Sequence, residues 1–138
     1  MGNSATSILR TVHREYWAVS SDVSGQTKRA NTITKLWQNQ LVAIDPNRYI
    51  AEYPVSGYKI DLVDVIAQTA YELKVSPNNP HHEFYRDVFK VQLANHQNPC
   101  IKHFVFCCPQ DAYTKLGVLG KFVEEHTRLG FSVSFFIL

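Results

Sequence analysis

No apolar run in this sequence approaches the roughly 18 residues that a membrane-spanning helix needs, which excludes an integral helical membrane protein. The N-terminal stretch MGNSATSILR is too polar for a secretory signal. Cysteine is scarce and odd in number. Cys100, Cys107 and Cys108 lack metal-site spacing, and an adjacent pair does not suit a disulfide, so reduced thiols in a cytoplasmic protein are expected. No block of like charge occurs. Lys and Arg number 14 against 12 Asp and Glu, a net charge of +2, which permits nucleic-acid binding without requiring it. No segment repeats. A zinc-peptidase HExxH motif is absent as well, since His82-Glu83 runs into Phe84, Tyr85 and Arg86. The expectation is a soluble chain with no membrane partner, folding over residues 1–138 as one domain.

What is present is core-forming material: 45% hydrophobic and 12% aromatic residues argue against disorder. Ile8, Val12, Tyr16 and Val19 recur at helical spacing and predict a helix over residues 4–20. A polar break over Ser20 to Gln26 separates it from a second helix, about 27–42, carrying Ile33, Leu36, Trp37 and Leu41 on one side. Asp45-Pro46-Asn47 signals a turn. Residues 48–55 then read as a strand with Tyr49, Ala51 and Tyr53 on one face and Ile50 and Glu52 on the other. Ser56-Gly57 provides a tight reversal. Pro77-Asn78-Asn79-Pro80 leads into a helix of about 82–96, on which Arg86, Asp87 and Lys90 share a side. IKHFVFCC, residues 101–108, is the pattern of a strand buried on both faces. A helix beginning near Pro109 and ending by Arg128 precedes a last apolar strand, 131–138. This order predicts an α/β fold with a mixed central sheet flanked by helices.

The stretch YKIDLVDVIAQTAYELKV, residues 58–75, reads as two neighbouring strands and carries the chemistry. Period-2 alternation puts Glu72 and Lys74 on one face, with Tyr71, Leu73 and Val75 on the other. It puts Asp61 with Val63 and Val65, opposite Ile60, Leu62 and Asp64. Pairing of the two strands lets Asp61 lie beside Glu72. Two carboxylates inside an apolar sheet repel, and a hard divalent cation such as Mg²⁺ or Mn²⁺ relieves the repulsion. Lys74 beside them can meet a phosphate oxygen, or orient or deprotonate a metal-bound water. Lys28, Arg29 and Lys35 form a small basic group that reads either as a solvated helix face or as phosphate contacts. His81 and His82 are adjacent and cannot chelate one ion from a regular element.

Asp61, ten intervening residues, and then Glu72-Leu73-Lys74 resemble the signature of the PD-(D/E)xK nuclease superfamily of restriction endonucleases and Holliday-junction resolvases. The resemblance implies a restriction-endonuclease-like αβββαβ core with an added C-terminal helix and strand. It implies a Mg²⁺-dependent endonuclease acting on DNA, with RNA not excluded. Asp61, Glu72 and the Leu73 carbonyl would hold the metal, and Lys74 would act on the reacting phosphate. Ile60 stands where the family name has proline. An auxiliary acid could come from Glu15 on the first helix or Glu52 on the first strand. Lys90 is the helix residue that relatives often place near the site, and Arg86 joins Lys28, Arg29 and Lys35 as a nucleic-acid contact. The short chain suits a homodimer that cuts two strands. The alternative is a catalytically silent nuclease-like fold that binds DNA or a protein.

Overall fold

Strands that are apolar on both faces require cover on both sides of the sheet, and the chain supplies helices to each. The computed structural model describes residues 4–17, 26–76, 78–125 and 129–138. Its elements are α1 (Ser4–Tyr16), α2 (Gln26–Ile44), β1 (Tyr49–Val55), β2 (Tyr58–Asp64), β3 (Thr69–Leu73), α3 (Pro80–Gln97), β4 (His103–Cys108), α4 (Gln110–Glu125) and β5 (Ser132–Ile137). The five strands form one mixed sheet in sequential order, β1 to β5. β1, β2 and β3 pair antiparallel as a meander, and β4 and β5 are added parallel after α3 and α4. No described helix is long and apolar enough to cross a membrane.

Each face of the sheet has its own core. Ile60, Val63, Ala70, Phe104, Phe106 and Val133 pack under Phe84 and Val91 of α3 and Leu116 of α4. The rings of Phe84, Phe106 and Phe135 meet at 5.2–6.1 Å between centroids. On the opposite face, Tyr49, Leu62, Tyr71, Val75 and Cys107 pack under Leu9 of α1 and Ile33, Trp37 and Leu41 of α2. The expected stripe of α1 is displaced. Ala5, Leu9 and Val12 are buried, whereas Tyr16 is 44% exposed, and Val19 lies outside the described residues. The expected polar break from Ser20 falls there too, apart from Gln26, as do Pro77 and Arg128.

Turn chemistry explains the joints. Ser56 and Gly57 both have positive φ, 44° and 87°, as a two-residue type I′ hairpin demands. Pro80 opens α3, where its missing N–H costs nothing. α4 is not the continuous helix its pattern suggests: Gly117 takes φ 53°, ψ −127° and kinks it. Phe122 is consequently not part of a buried stripe and is 59% exposed.

The meander departs from simple alternation at one place. Ile60 and Leu62 are two residues apart yet pack into opposite cores. On β1 the same reversal separates Tyr49 from Tyr53 and Val55. Between them Glu52 takes φ 52°, and Glu52 and Asp61 are skipped in an otherwise regular pairing of β1 with β2. The face assignments from alternation along residues 48–65 are corrected accordingly: the pleat reverses at Glu52 and Asp61. For β3 the assignment stands, with Tyr71, Leu73 and Val75 all on the α1/α2 side.

Trp37 is fully buried, edge-on to Tyr71, and its indole N–H donates to the Ala5 carbonyl at 2.9 Å, tying α2 to α1. Trp37→Ala is expected to lower the unfolding free energy by about 3–5 kcal/mol, read by urea denaturation.

Candidate active site

Asp61 stands at the pleat reversal, and side chains rather than strand neighbours hold its backbone. Its N–H donates to Glu72 Oε1 at 3.2 Å, and its carbonyl accepts from the Gln38 side-chain amide at 2.7 Å. In return Asp61 Oδ2 accepts the Leu73 N–H at 2.8 Å. The regular β2–β3 pairing stops one step earlier, at Leu62 and Tyr71. The strands therefore part where the two acids sit, and each carboxyl takes over a backbone hydrogen bond. Gln38 is 1% exposed and also reaches Glu52 at 3.5 Å.

A cavity of about 580 Å³ opens beside this break, at the C-terminal end of β3. Lys35, Glu52, Asp61, Leu73, Lys74 and Glu83 are among its walls. Glu72 lies behind Asp61, 4% exposed, and its Oε1 is 2.9 Å from Lys90 Nζ. Lys90 also donates to the Lys59 carbonyl at 2.7 Å and lies 3.1 Å from Asp87 Oδ1. Lys74 is buried at the end of β3, where its N–H donates to the Cys107 carbonyl and its ammonium pairs with Glu83 at 2.5 Å.

The electrostatics are those of an undercompensated acid cluster. Asp61, Glu72 and Asp87 face one ammonium, that of Lys90. Burial raises Asp61, with partial relief from the Leu73 N–H and from its hydrogen bond with Glu72. Burial, reinforced by repulsion from Asp61 and Asp87, lifts Glu72 to about 9. Burial likewise lifts Asp87 to about 6, against the pull of Lys90. Burial alone would depress Lys90, but Glu72 and Asp87 outweigh it and raise its pKa. The short Lys90 contact favours an ionised Glu72, and the surrounding carboxyls favour a protonated one. Burial, the larger cause, and repulsion from Asp61 and Asp87 together outweigh Lys90, so the Glu72 pKa is raised.

Fully ionised, these four groups carry a charge of −2, which a divalent cation would neutralise in place of protons. Among the described residues no group of three or more His, Cys, Asp or Glu side chains has the arrangement of a metal site. A cation here would rest on Asp61, Glu72, main-chain oxygen at Leu73 and water, a donor set that suits Mg²⁺ or Mn²⁺. Asp64, the other acid of β2, is occupied structurally. It takes a two-pronged ion pair from Arg48, at 2.9–3.1 Å, and caps the following turn through the Ile66 and Ala67 N–H groups.

The cavity thus gathers Asp61, Leu73, Lys74, Glu52 and Lys35, with Glu72 and Lys90 directly behind. Of the two auxiliary acids, Glu52 is at the site, 3.4 Å from Lys35. Glu15 is exposed on α1 and is not among the cavity walls. Lys28 is exposed, the Arg29 guanidinium lies 4.9 Å over the Trp17 ring, and exposed Arg86 is 3.8 Å from Asp87. None of these three lines the cavity. His81 and His82 are exposed outside it. Cys107 is fully buried, and burial pushes its thiol up, as for a core residue. Gln38, Glu83 and Asp87 are the site residues that sequence reasoning missed or left unassigned. The i,i+3 spacing of Asp87 and Lys90 was the visible signal, but spacing alone does not tell a buried pair from a solvated one. No protein-family model, no curated protein and no solved structure matches the chain.

A carboxyl that keeps its proton to about 9 when folded, against an ordinary 4.5, makes the native state bind more protons than the unfolded state in between. The contribution of Glu72 to the stability of the metal-free protein is therefore fully present below the ordinary value and is lost as pH rises through this window. Glu72→Gln, which keeps the shape and cannot ionise, is expected to flatten the Tm–pH profile between about pH 5 and 9. An unchanged slope in that variant would show Glu72 ionised in the native protein. Lys90→Met leaves buried acids uncompensated and is expected to cost about 3–5 kcal/mol, more at alkaline than at acid pH.

Proposed function

We propose that the chain is a metal-dependent nuclease of the PD-(D/E)xK kind, hydrolysing phosphodiester bonds, with its sheet and flanking helices serving as a restriction-endonuclease-like core. The observation that carries this reading is the approach of Asp61 and Glu72 across the parting of β2 and β3, with Lys74 beside Asp61 in the cavity wall and Glu72 buried behind it. Four helices around a mixed five-stranded sheet are compatible with it. In this scheme Asp61, Glu72 and the Leu73 carbonyl hold a Mg²⁺ or Mn²⁺ ion. When bound, that ion would polarise the scissile phosphate and make a coordinated water acidic. Glu83 restrains the Lys74 ammonium at the cavity wall, where it can donate to a phosphate oxygen as negative charge develops. Lys35, largely exposed at the cavity mouth, offers a contact to a neighbouring phosphate. Asp87 and the Lys59 carbonyl fix Lys90, which steadies Glu72 before the cation arrives. A homodimer would present two such sites to opposite strands of DNA.

One observation favours a second reading. Lys90 and Lys74 already have carboxylate partners in Glu72 and Glu83, as in a closed structural ion-pair network. A catalytically silent nuclease-like module that binds DNA or a protein would show the same pairs.

Cleavage of linear, nicked and branched DNA and of RNA, with and without Mg²⁺ or Mn²⁺, separates the two. Metal-dependent cleavage is expected, abolished in Asp61→Asn and Glu72→Gln. Lys74→Ala is expected to lose about 10²-fold or more of the rate while metal still raises its Tm. Binding without cleavage under every condition would leave the silent module.

A further inference from the structure

A second basic feature lies on the same edge of the sheet as the candidate active site. Lys74, Cys108 and Ile137 stand together at the C-terminal ends of the three parallel strands: Cys108 pairs with Ile137, and the Lys74 N–H bonds the Cys107 carbonyl. α1 lies over the β5 end of that row. Arg10 donates to the Ile137 carbonyl at 3.2 Å, and its guanidinium lies 4.6 Å over the Phe136 ring. Arg10, His13 and Arg14, at i, i+3 and i+4 on α1, line a cavity of about 430 Å³ with Ile137 and Leu138. His13 Nε2 is buried there with no hydrogen-bond partner among the described residues. Among the same residues, neither Arg10 nor Arg14 has a carboxylate within ion-pair distance. The two ammonium groups at the active-site end of that row are engaged, Lys74 by Glu83 and Lys35 by Glu52.

We propose that Arg10, His13 and Arg14 form a phosphate-binding cradle that holds the nucleic-acid backbone at a distance from the cleaved bond. The ligand's identity rests on the nuclease reading; the site itself rests on the geometry of α1 and β5. From Lys74 to Ile137 is two strand spacings, about 10 Å. Phosphates of one strand wind around the axis and lie farther apart than its axial rise, so this span covers about one or two of them. A backbone whose reacting phosphate lies over Asp61 and Lys74 thus reaches the cradle while running along the strand ends. Stacking on Phe136 preorganises Arg10, so little side-chain entropy is lost on binding. Arg14, exposed on α1, can fork onto a phosphate oxygen, while the His13 ring forms part of the cavity wall beside the two arginines. Such contacts position a duplex without reading its bases.

The test is a salt titration of binding to a 30-base-pair duplex in Ca²⁺, on wild-type protein and on the Arg10→Gln/Arg14→Gln and Arg10→Lys/Arg14→Lys variants. Tm is measured alongside. The glutamine pair is expected to bind at least about tenfold more weakly, with a log K against log salt slope shallower by about 2. The lysine pair is expected to keep the slope. If the glutamine pair is unfolded, Arg14→Gln alone, on an exposed residue, is expected to reduce the slope by about 1. Folded glutamine variants with wild-type affinity and slope would overturn the cradle. So would phosphatidylserine vesicles binding through these arginines while duplex binding is unaffected. Wild-type protein that binds duplex through the cradle but never cleaves would refute the nuclease reading alone. Cleavage by a wild-type protein whose slope is insensitive to the arginines would refute the cradle alone.

Discussion

Three buried carboxyls held against one lysine constrain this structure more than any other interaction. Asp61, Glu72 and Asp87 come from two strands and a helix; Lys90 pairs with Glu72 and Asp87 and bonds the Lys59 carbonyl, and Glu72 in turn accepts the Asp61 N–H. An apolar sheet tolerates such a group only if every charge is paired, protonated or shared with a cation. The surrounding elements meet that condition in small ways. β2 and β3 separate by one residue pair, Gln38 reaches across from α2, and the pleat of β1 and β2 reverses at Glu52 and Asp61. A regular sheet at this place would turn Asp61 fully into one core or the other.

The reversal also has a constructive effect. It leaves Asp61 partly open to a cavity while Glu72 remains buried behind it. A ligand entering the cavity would meet Asp61 first, with Glu72 contributing its charge from behind. The contrast with Asp64 is instructive. Three residues further along the same strand, a more deeply buried acid is satisfied by Arg48 and two turn amides. Compensation distinguishes the two.

The parallel half of the sheet places the chemistry at one edge. β3, β4 and β5 run in the same direction, so their C-terminal ends bring Lys74, Cys108 and Ile137 to one row, where open α/β sheets commonly bind ligands. The candidate active site occupies one end of that row and the arginines of α1 the other. The relation depends on α1 packing beside α2 over the sheet, about sixty residues of chain away from Lys74.

Local pattern determined much of this protein. Alternation in β3 assigned Tyr71, Leu73 and Val75 to one core, Ser56-Gly57 marked its hairpin, and IKHFVFCC announced a strand buried on both faces. Those signals are legible because propensity, turn chemistry and burial act within a few residues. The neighbourhood of Asp61 and Glu72 was also readable, from strand order and the spacing ExK. Tertiary structure alone decided the rest. Alternation could not reveal the reversal at Asp61, because it follows from a left-handed Glu52 and a glutamine on another helix. The i,i+3 pair Asp87 and Lys90 looks the same in sequence whether solvated or buried. Which acid is compensated, Asp61 or Asp64, depends on groups brought from elsewhere in the chain, since the strength of a charge interaction is set by burial and neighbours rather than by residue type.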